Sequence, residues 1–310
     1  MTLSCVPSAA SGQGTGTVAQ SYLDYARRGS NAPWRYGVAT VFALVVTMVA
    51  GLALTLGLEM AHLVPADLTE QMLRPEGNPA IFFLSTGMIF GLLALGFAVA
   101  ARLIHHKRML DLAGDWSWAG FGRGFGIWLA VLVLGALIDF AIAPKGFSVI
   151  ASPASAKLAV IVLASLAAQT FAEEFLFRGY LTQGLLLVIK RPLPTALLSG
   201  LAFGALHIPN GGPQAASAIV FGVVLALIAI RMRGIAFTWG LHFANNSFAA
   251  IVLVSNGDAF RGSPGLFRQD TPHLQWWDAA VGGVALILLG LALLRWPSIG
   301  GPRARGVGAT

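Results

Sequence analysis

The chain has 310 residues, 56% of them hydrophobic and only 11% charged, against about 25% charged in ordinary soluble domains; this composition excludes a soluble enzyme and points to one polytopic integral membrane domain. The net charge of +7 does not mark a nucleic-acid partner, because the basic residues sit between apolar segments and form no patch with interleaved aromatics. A single cysteine, Cys5, excludes an internal disulfide and a thiolate metal cluster.

Residues 1–36 read as an N-terminal tail, rich in Ser, Gly, Ala and Thr and without a secretory signal. Its first part, 1–19, has too few apolar side chains to bury and is expected to be disordered. The mixed aromatic and basic stretch from Tyr22 to Trp34 suits a helix lying along the membrane surface. Residues 37–296 then carry eight apolar segments, beginning near Gly37, Pro79, Gly124, Ser155, Pro194, Ala215, Ile235 and Asp278. Each is about 17–25 residues long, enough to cross a bilayer core as a helix. The predicted fold class is therefore all-α, a polytopic membrane protein of about eight transmembrane helices. In the fourth segment the helical pattern continues from Ser155 to about Ile189, about 52 Å of helix whose end projects beyond the bilayer. Pro192 and Pro194 break it. A polar loop from Pro209 to Gln214 separates the fifth and sixth segments, and residues 297–310 form a Gly/Pro/Arg-rich tail.

Fourteen Lys and Arg residues fall on one side of the alternating connections and five on the other. That asymmetry predicts both termini in the cytoplasm.

Six ionisable side chains interrupt the apolar segments. Glu173, Glu174 and Arg178 form E-E-x-x-x-R, His207 ends F-x-x-x-H, His242 and Asn246 form H-x-x-x-N, and Asp139 stands alone. Charge in hydrocarbon costs at least a few kcal/mol, so such residues face an internal cavity and mark a functional site. On a helix Glu174 and Arg178 are i,i+4 in the favourable order for an ion pair, while Glu173 points about 100° away and is left to face a cavity. His242 and Asn246 are likewise i,i+4, and overlie each other better than His242 and Asn245. Amide hydrolysis needs an activated water and donors for the oxyanion. Glu173 assisted by His207 suits the first task, and His242 with Asn246 the second. Glu174 and Arg178 would fix the geometry. Asp139 would pair with Arg178 or sit near a helix end. The histidines at 62, 105, 106 and 273 lie in connections and read as solvated; Phe and Trp residues read as lipid-facing and interfacial filler; Gly200, Gly204 and Ala205 read as small residues permitting close helix packing.

These three patterns, in this order and inside hydrophobic segments, resemble the CPBP family, the CAAX protease and bacteriocin-processing group that includes type II CAAX prenyl endopeptidases. The motifs span about Phe171 to Ser247, and elsewhere the likeness is one of topology. The resemblance implies an intramembrane endopeptidase with Glu173 and His207 at the water, His242 and Asn246 at the oxyanion, and entry from the membrane or cytoplasmic face. It implies a membrane-associated protein or peptide substrate, with or without attached lipid, and residence in a bacterial inner membrane. No cofactor is expected. Zinc is the alternative, since two His and one Glu form a catalytic ligand set, although no H-E-x-x-H is present. Two non-proteolytic readings compete: an immunity or scaffold protein of the same fold, and a transporter using the buried charges as a proton relay. No internal repeat between chain halves supports the latter.

Overall fold

The structure is a computed structural model, and it describes residues 16–65, 67–73, 75–256, 259–271 and 274–295. The start of the N-terminal tail, Arg74, His273 and the tail after Pro297 lie outside these residues.

Twelve α-helices are present among the described residues: α1 (Gly16–Arg27), α2 (Pro33–Met60), α3 (Leu68–Leu73), α4 (Pro79–Leu103), α5 (Met109–Ala113), α6 (Trp118–Ile142), α7 (Pro153–Glu174), α8 (Thr182–Ile189), α9 (Pro192–Ala205), α10 (Gly212–Met232), α11 (Ala236–Ser247) and α12 (Leu274–Arg295). Local chemistry sets their starts. Asn78, Ser117 and Ser152 each accept a backbone N–H at the head of α4, α6 and α7. Proline opens α2, α4, α7 and α9, where its missing N–H leaves no partner unsatisfied. Lys190 and Arg233 close α8 and α10 in the left-handed conformation.

Among the described residues six helices are long and apolar enough to cross a membrane: α2, α4, α6, the continuous 155–189 run, α10 and α12. In α2 only Ala39 and Ala43 are fully buried, and exposed side chains such as Val41, Val45, Met48 and Leu52 are left for lipid. The protein is thus a polytopic, all-α membrane protein, with three short strands among the described residues. The fifth and seventh expected spans are shorter than the rest. Helix α9 has 14 residues, about 21 Å, against about 30 Å of hydrocarbon. Helix α11 has 12 residues and runs into a π-helical turn, Phe248–Val252.

The long run is a helix with a widened middle. Between α7 and α8, residues Phe175–Leu181 are π-helical. Such turns recur at functional sites, because they shift the helical register by a residue. The widening follows directly after the two glutamates. Gly179 within it lets the α5 backbone approach; a Cβ there would lie 2.8 Å from the Leu112 carbonyl oxygen.

Around this run, α4 and α11 pack on α7, α6 packs on α11, and α9 packs on α10. The α9–α10 contact is backbone-close. A Cβ on Gly200 would lie 2.4 Å from Val223 Cγ2, and one on Gly222 would lie 2.7 Å from Gly200 Cα. Small residues are what allow membrane helices this proximity.

Helix α1 packs against the helical bundle. Tyr22, Leu23 and Ala26 are buried against Leu186 and Ile230, and Lys107 Nζ donates to the Ala26 carbonyl at 2.7 Å. Strands β1 (Phe147–Val149), β2 (Leu253–Ser255) and β3 (Phe267–Gln269) form a sheet in the order β1-β3-β2, antiparallel then parallel. It ties together the connections after α6, after the 248–252 turn and before α12.

Candidate active site

The motif residues meet at one level of the bundle. Counting back from Ile189 to Glu173 gives about 24 Å of helix, and forward from Pro192 to His207 about 22 Å. Helix α9 ends short, and the chain turns back at residues 208–211 before a full crossing.

Glu174 is fully buried, and its Oε1 takes two partners. Arg178 NH1 lies 3.0 Å away and His242 Nδ1 2.9 Å away. The guanidinium is also fully buried and lies 4.5 Å from the centre of the Phe203 ring. The expected i,i+4 pair is therefore present. Asp139 is not part of it. That residue sits near the end of α6, as the other alternative had it, against Asp278 of α12.

Glu173 differs from expectation. Instead of facing a cavity freely, it is 8% exposed and held from two sides. Its Oε2 is 3.4 Å from His242 Nε2, and its Oε1 accepts from Gln169 Nε2 at 3.1 Å. His242 thus stands between the two acids. Its Nδ1 contact has the length of a charge-assisted bond, whereas 3.4 Å at Nε2 is beyond that range. One nitrogen fixes the ring and the other remains available.

His207 reaches the same region from α9. Its Nδ1 donates to the Phe203 carbonyl at 2.8 Å, and its ring centre lies 4.6 Å from that of Phe203. The Phe203 ring is in turn 5.9 Å from His242. No direct hydrogen bond joins His207 to Glu173. A cavity of about 550 Å³ opens here, with Gln169, His207, His242, Asn245 and Asn246 in its wall. Asp139 and Asp278 line it farther along. Asn246 is buried and donates to Gln169 Oε1 at 3.1 Å. Asn245, the competing candidate, accepts from Trp128 Nε1 at 3.1 Å and donates to Asn246 Oδ1 at 3.2 Å.

Several residues that read from the sequence as filler or solvated take other places in the structure. Trp128 and Phe203 are buried rather than lipid-facing. His105 is not solvated: it is fully buried, 2.8 Å from the Ser30 carbonyl and 3.0 Å from the Tyr180 hydroxyl. Burial holds it below its ordinary value, against the opposing pull of that carbonyl. Gln169 was not singled out at all. Its position one turn before Glu173 was the available signal.

Comparison with known proteins follows the same segment. The chain is 26% identical over 292 residues to an uncharacterized protein, YyaK, of Bacillus subtilis (strain 168), covering 86% of this chain and 93% of the relative. No solved structure matches. Residues 155–248, which hold the E-E-x-x-x-R run, His207, His242 and Asn246, match the family model described as type II CAAX prenyl endopeptidase Rce1-like, and this membrane-protease family is the one the chain resembles.

Proposed function

We propose that the protein is an intramembrane endopeptidase that hydrolyses a peptide bond of a membrane-associated protein or peptide, using Glu173, His207, His242 and Asn246. The observation that carries this reading is the dual grip on His242. Arg178 neutralises Glu174, Glu174 holds His242 Nδ1, and His242 Nε2 is left facing Glu173 and the cavity. A water between Glu173 and His207 would lose its proton to the carboxylate as it attacks the carbonyl carbon. The Asn246 amide would then donate to the oxyanion, and so would His242 Nε2 with the ring carrying both protons between its two carboxylates, a role worth about 3–4 kcal/mol per donor. The proton on Glu173 passes to the leaving amine, which completes hydrolysis.

A metal-free mechanism fits the donor set better than zinc. Both His242 nitrogens face carboxylates, and among the described residues no group of three or more His, Cys, Asp or Glu side chains is disposed to hold a metal ion. Dialysis against a strong chelator should leave cleavage intact; loss of activity that added zinc restores would reverse the choice. Residence in a bacterial inner membrane with both termini cytoplasmic completes the reading, supported by the distribution of Lys and Arg.

The deciding experiment incubates purified protein with membranes of its own cell and compares new protein N-termini between wild type and Glu173→Gln. Wild type should generate them and the variant should not, while remaining folded and inserted. Equal biological activity of Glu173→Gln and His207→Ala would leave an immunity or scaffold protein instead.

A further inference from the structure

Five side chains, of which Glu173 and Asn246 already have roles and Trp128, Asn245 and Gln169 do not, form a single hydrogen-bonded line. Trp128 donates to Asn245, Asn245 to Asn246, Asn246 to Gln169, and Gln169 to Glu173. Three of these members are amides, whose oxygen and nitrogen ends can be exchanged by a half-turn. Both termini of the line are unambiguous. An indole N–H can only donate, and an ionised carboxylate can only accept. Starting from Trp128, Asn245 must present its oxygen to the indole and its NH2 to Asn246. Asn246 must then present oxygen to Asn245 and NH2 to Gln169, and Gln169 must present NH2 to Glu173. Starting from Glu173 gives the same orientation at every step. The direction is fixed twice over.

We propose that Gln169 is a positioning residue that holds Glu173 and Asn246 in fixed relation, and that Trp128 and Asn245 fix which end of the Asn246 amide is turned toward Gln169. This rests on the proteolytic reading above. Gln169 lies one helical turn from Glu173 on α7 and meets Asn246 from α11, so it ties the acid of one helix to the amide of another. Both groups thereby act as a unit. The carboxylate receives an amide donor without yielding the oxygen that faces His242. The Asn246 NH2 group, with one N–H held by Gln169, keeps its second N–H in a defined place for a developing oxyanion. Hydrogen bonds in series polarise one another, so a change at one end of the line is felt at the other.

The test has two arms in lipid nanodiscs. The first reads the indole 15N–1H resonance of Trp128, assigned by its loss in Trp128→Phe, with Asn245→Ala as the control that must move it. Gln169→Met keeps the length of the side chain and removes both of its hydrogen bonds. It should shift the Trp128 resonance and leave the other indole signals in place. A resonance unchanged in Gln169→Met and in Asn246→Ala overturns the line. The second arm follows the new N-termini that depend on Glu173. Gln169→Met should slow their formation about tenfold to hundredfold at unchanged apparent KM, and Trp128→Phe should slow it less. In an Asn246→Ala background Trp128→Phe should have no further effect. Normal turnover in Gln169→Met, with Glu173→Gln inactive, refutes the positioning role and leaves proteolysis standing. If no Glu173-dependent termini form even in wild type, proteolysis itself falls and this role falls with it.

Discussion

The hydroxyl of Tyr22 donates to the backbone carbonyl of Arg178 at 2.8 Å, across 156 positions of sequence. The N-terminal helix thus contacts the widened turn that carries the guanidinium partner of Glu174. Tyr22→Phe keeps the ring packed on Leu186 and Ile230 and removes this one bond, a loss of about 0.5–1.5 kcal/mol. The denaturation midpoint in nanodiscs should fall accordingly, and trypsin should cut faster at Arg27 and Arg28. An unchanged midpoint would show that the hydroxyl is idle.

Breaking the buried ion pair from one side should be far worse. Arg178→Met leaves Glu174 uncompensated except by His242, and Glu174→Leu strands the guanidinium. Each single change should lower stability by about 3–5 kcal/mol. The double variant Glu174→Leu/Arg178→Met should recover most of that loss and yet remain inactive, because His242 no longer has a carboxylate at Nδ1. Chemical denaturation of all three, beside a cleavage assay, checks both halves.

Lys107 gives a pH signature outside the spans. Burial pulls its ammonium down from the ordinary 10.5 to about 8, and Asp111 partly opposes the drop. The folded value is below the unfolded one, so between about pH 8 and 10.5 the unfolded chain binds more protons. Stability should therefore rise with pH across that window. Below pH 8 both states carry the charge and this contribution to the slope vanishes. Lys107→Met should flatten the rise, as read from denaturation midpoints at several pH values.

Gly200→Leu should separate α9 from α10. Backbone atoms of Val223 and Ile219 lie 2.6 and 3.0 Å from where a Cβ would stand, and backbone cannot rotate away. His207 is carried on the end of α9, so turnover should fall together with stability. Restored turnover at wild-type stability would contradict the view that this contact places the histidine.

Much of the site was legible because its chemistry is local. Glu174 with Arg178, and His242 with Asn246, sit one helical turn apart in sequence, and helix periodicity alone brings each pair to one face. All eight apolar segments also became helices. What could not be read is what depends on distant partners. Glu173 looked free because the partner that faces its Oε2, His242, comes from another helix; Gln169, one turn back on the same helix, was within reach of the local reasoning. Trp128 looked like lipid-facing filler, since nothing around it names an Asn on another helix 117 positions away. His105 looked solvated for the same reason. The π-helical turn left no trace either, because it alters register without altering composition.

That turn also separates two mountings. Above it, Glu173 and Glu174 are fastened to α11; below it, Thr182 and Gln183 are fastened to Ser199 and to the carbonyls of Asp111 and Leu112. One residue more between Phe175 and Leu181, where the helix has already taken up its widening, would rotate one mounting against the other by about 100°. An insertion there would misalign the acids more severely than many substitutions at their own contacts, whereas the loops joining the outer helices can change length without touching them.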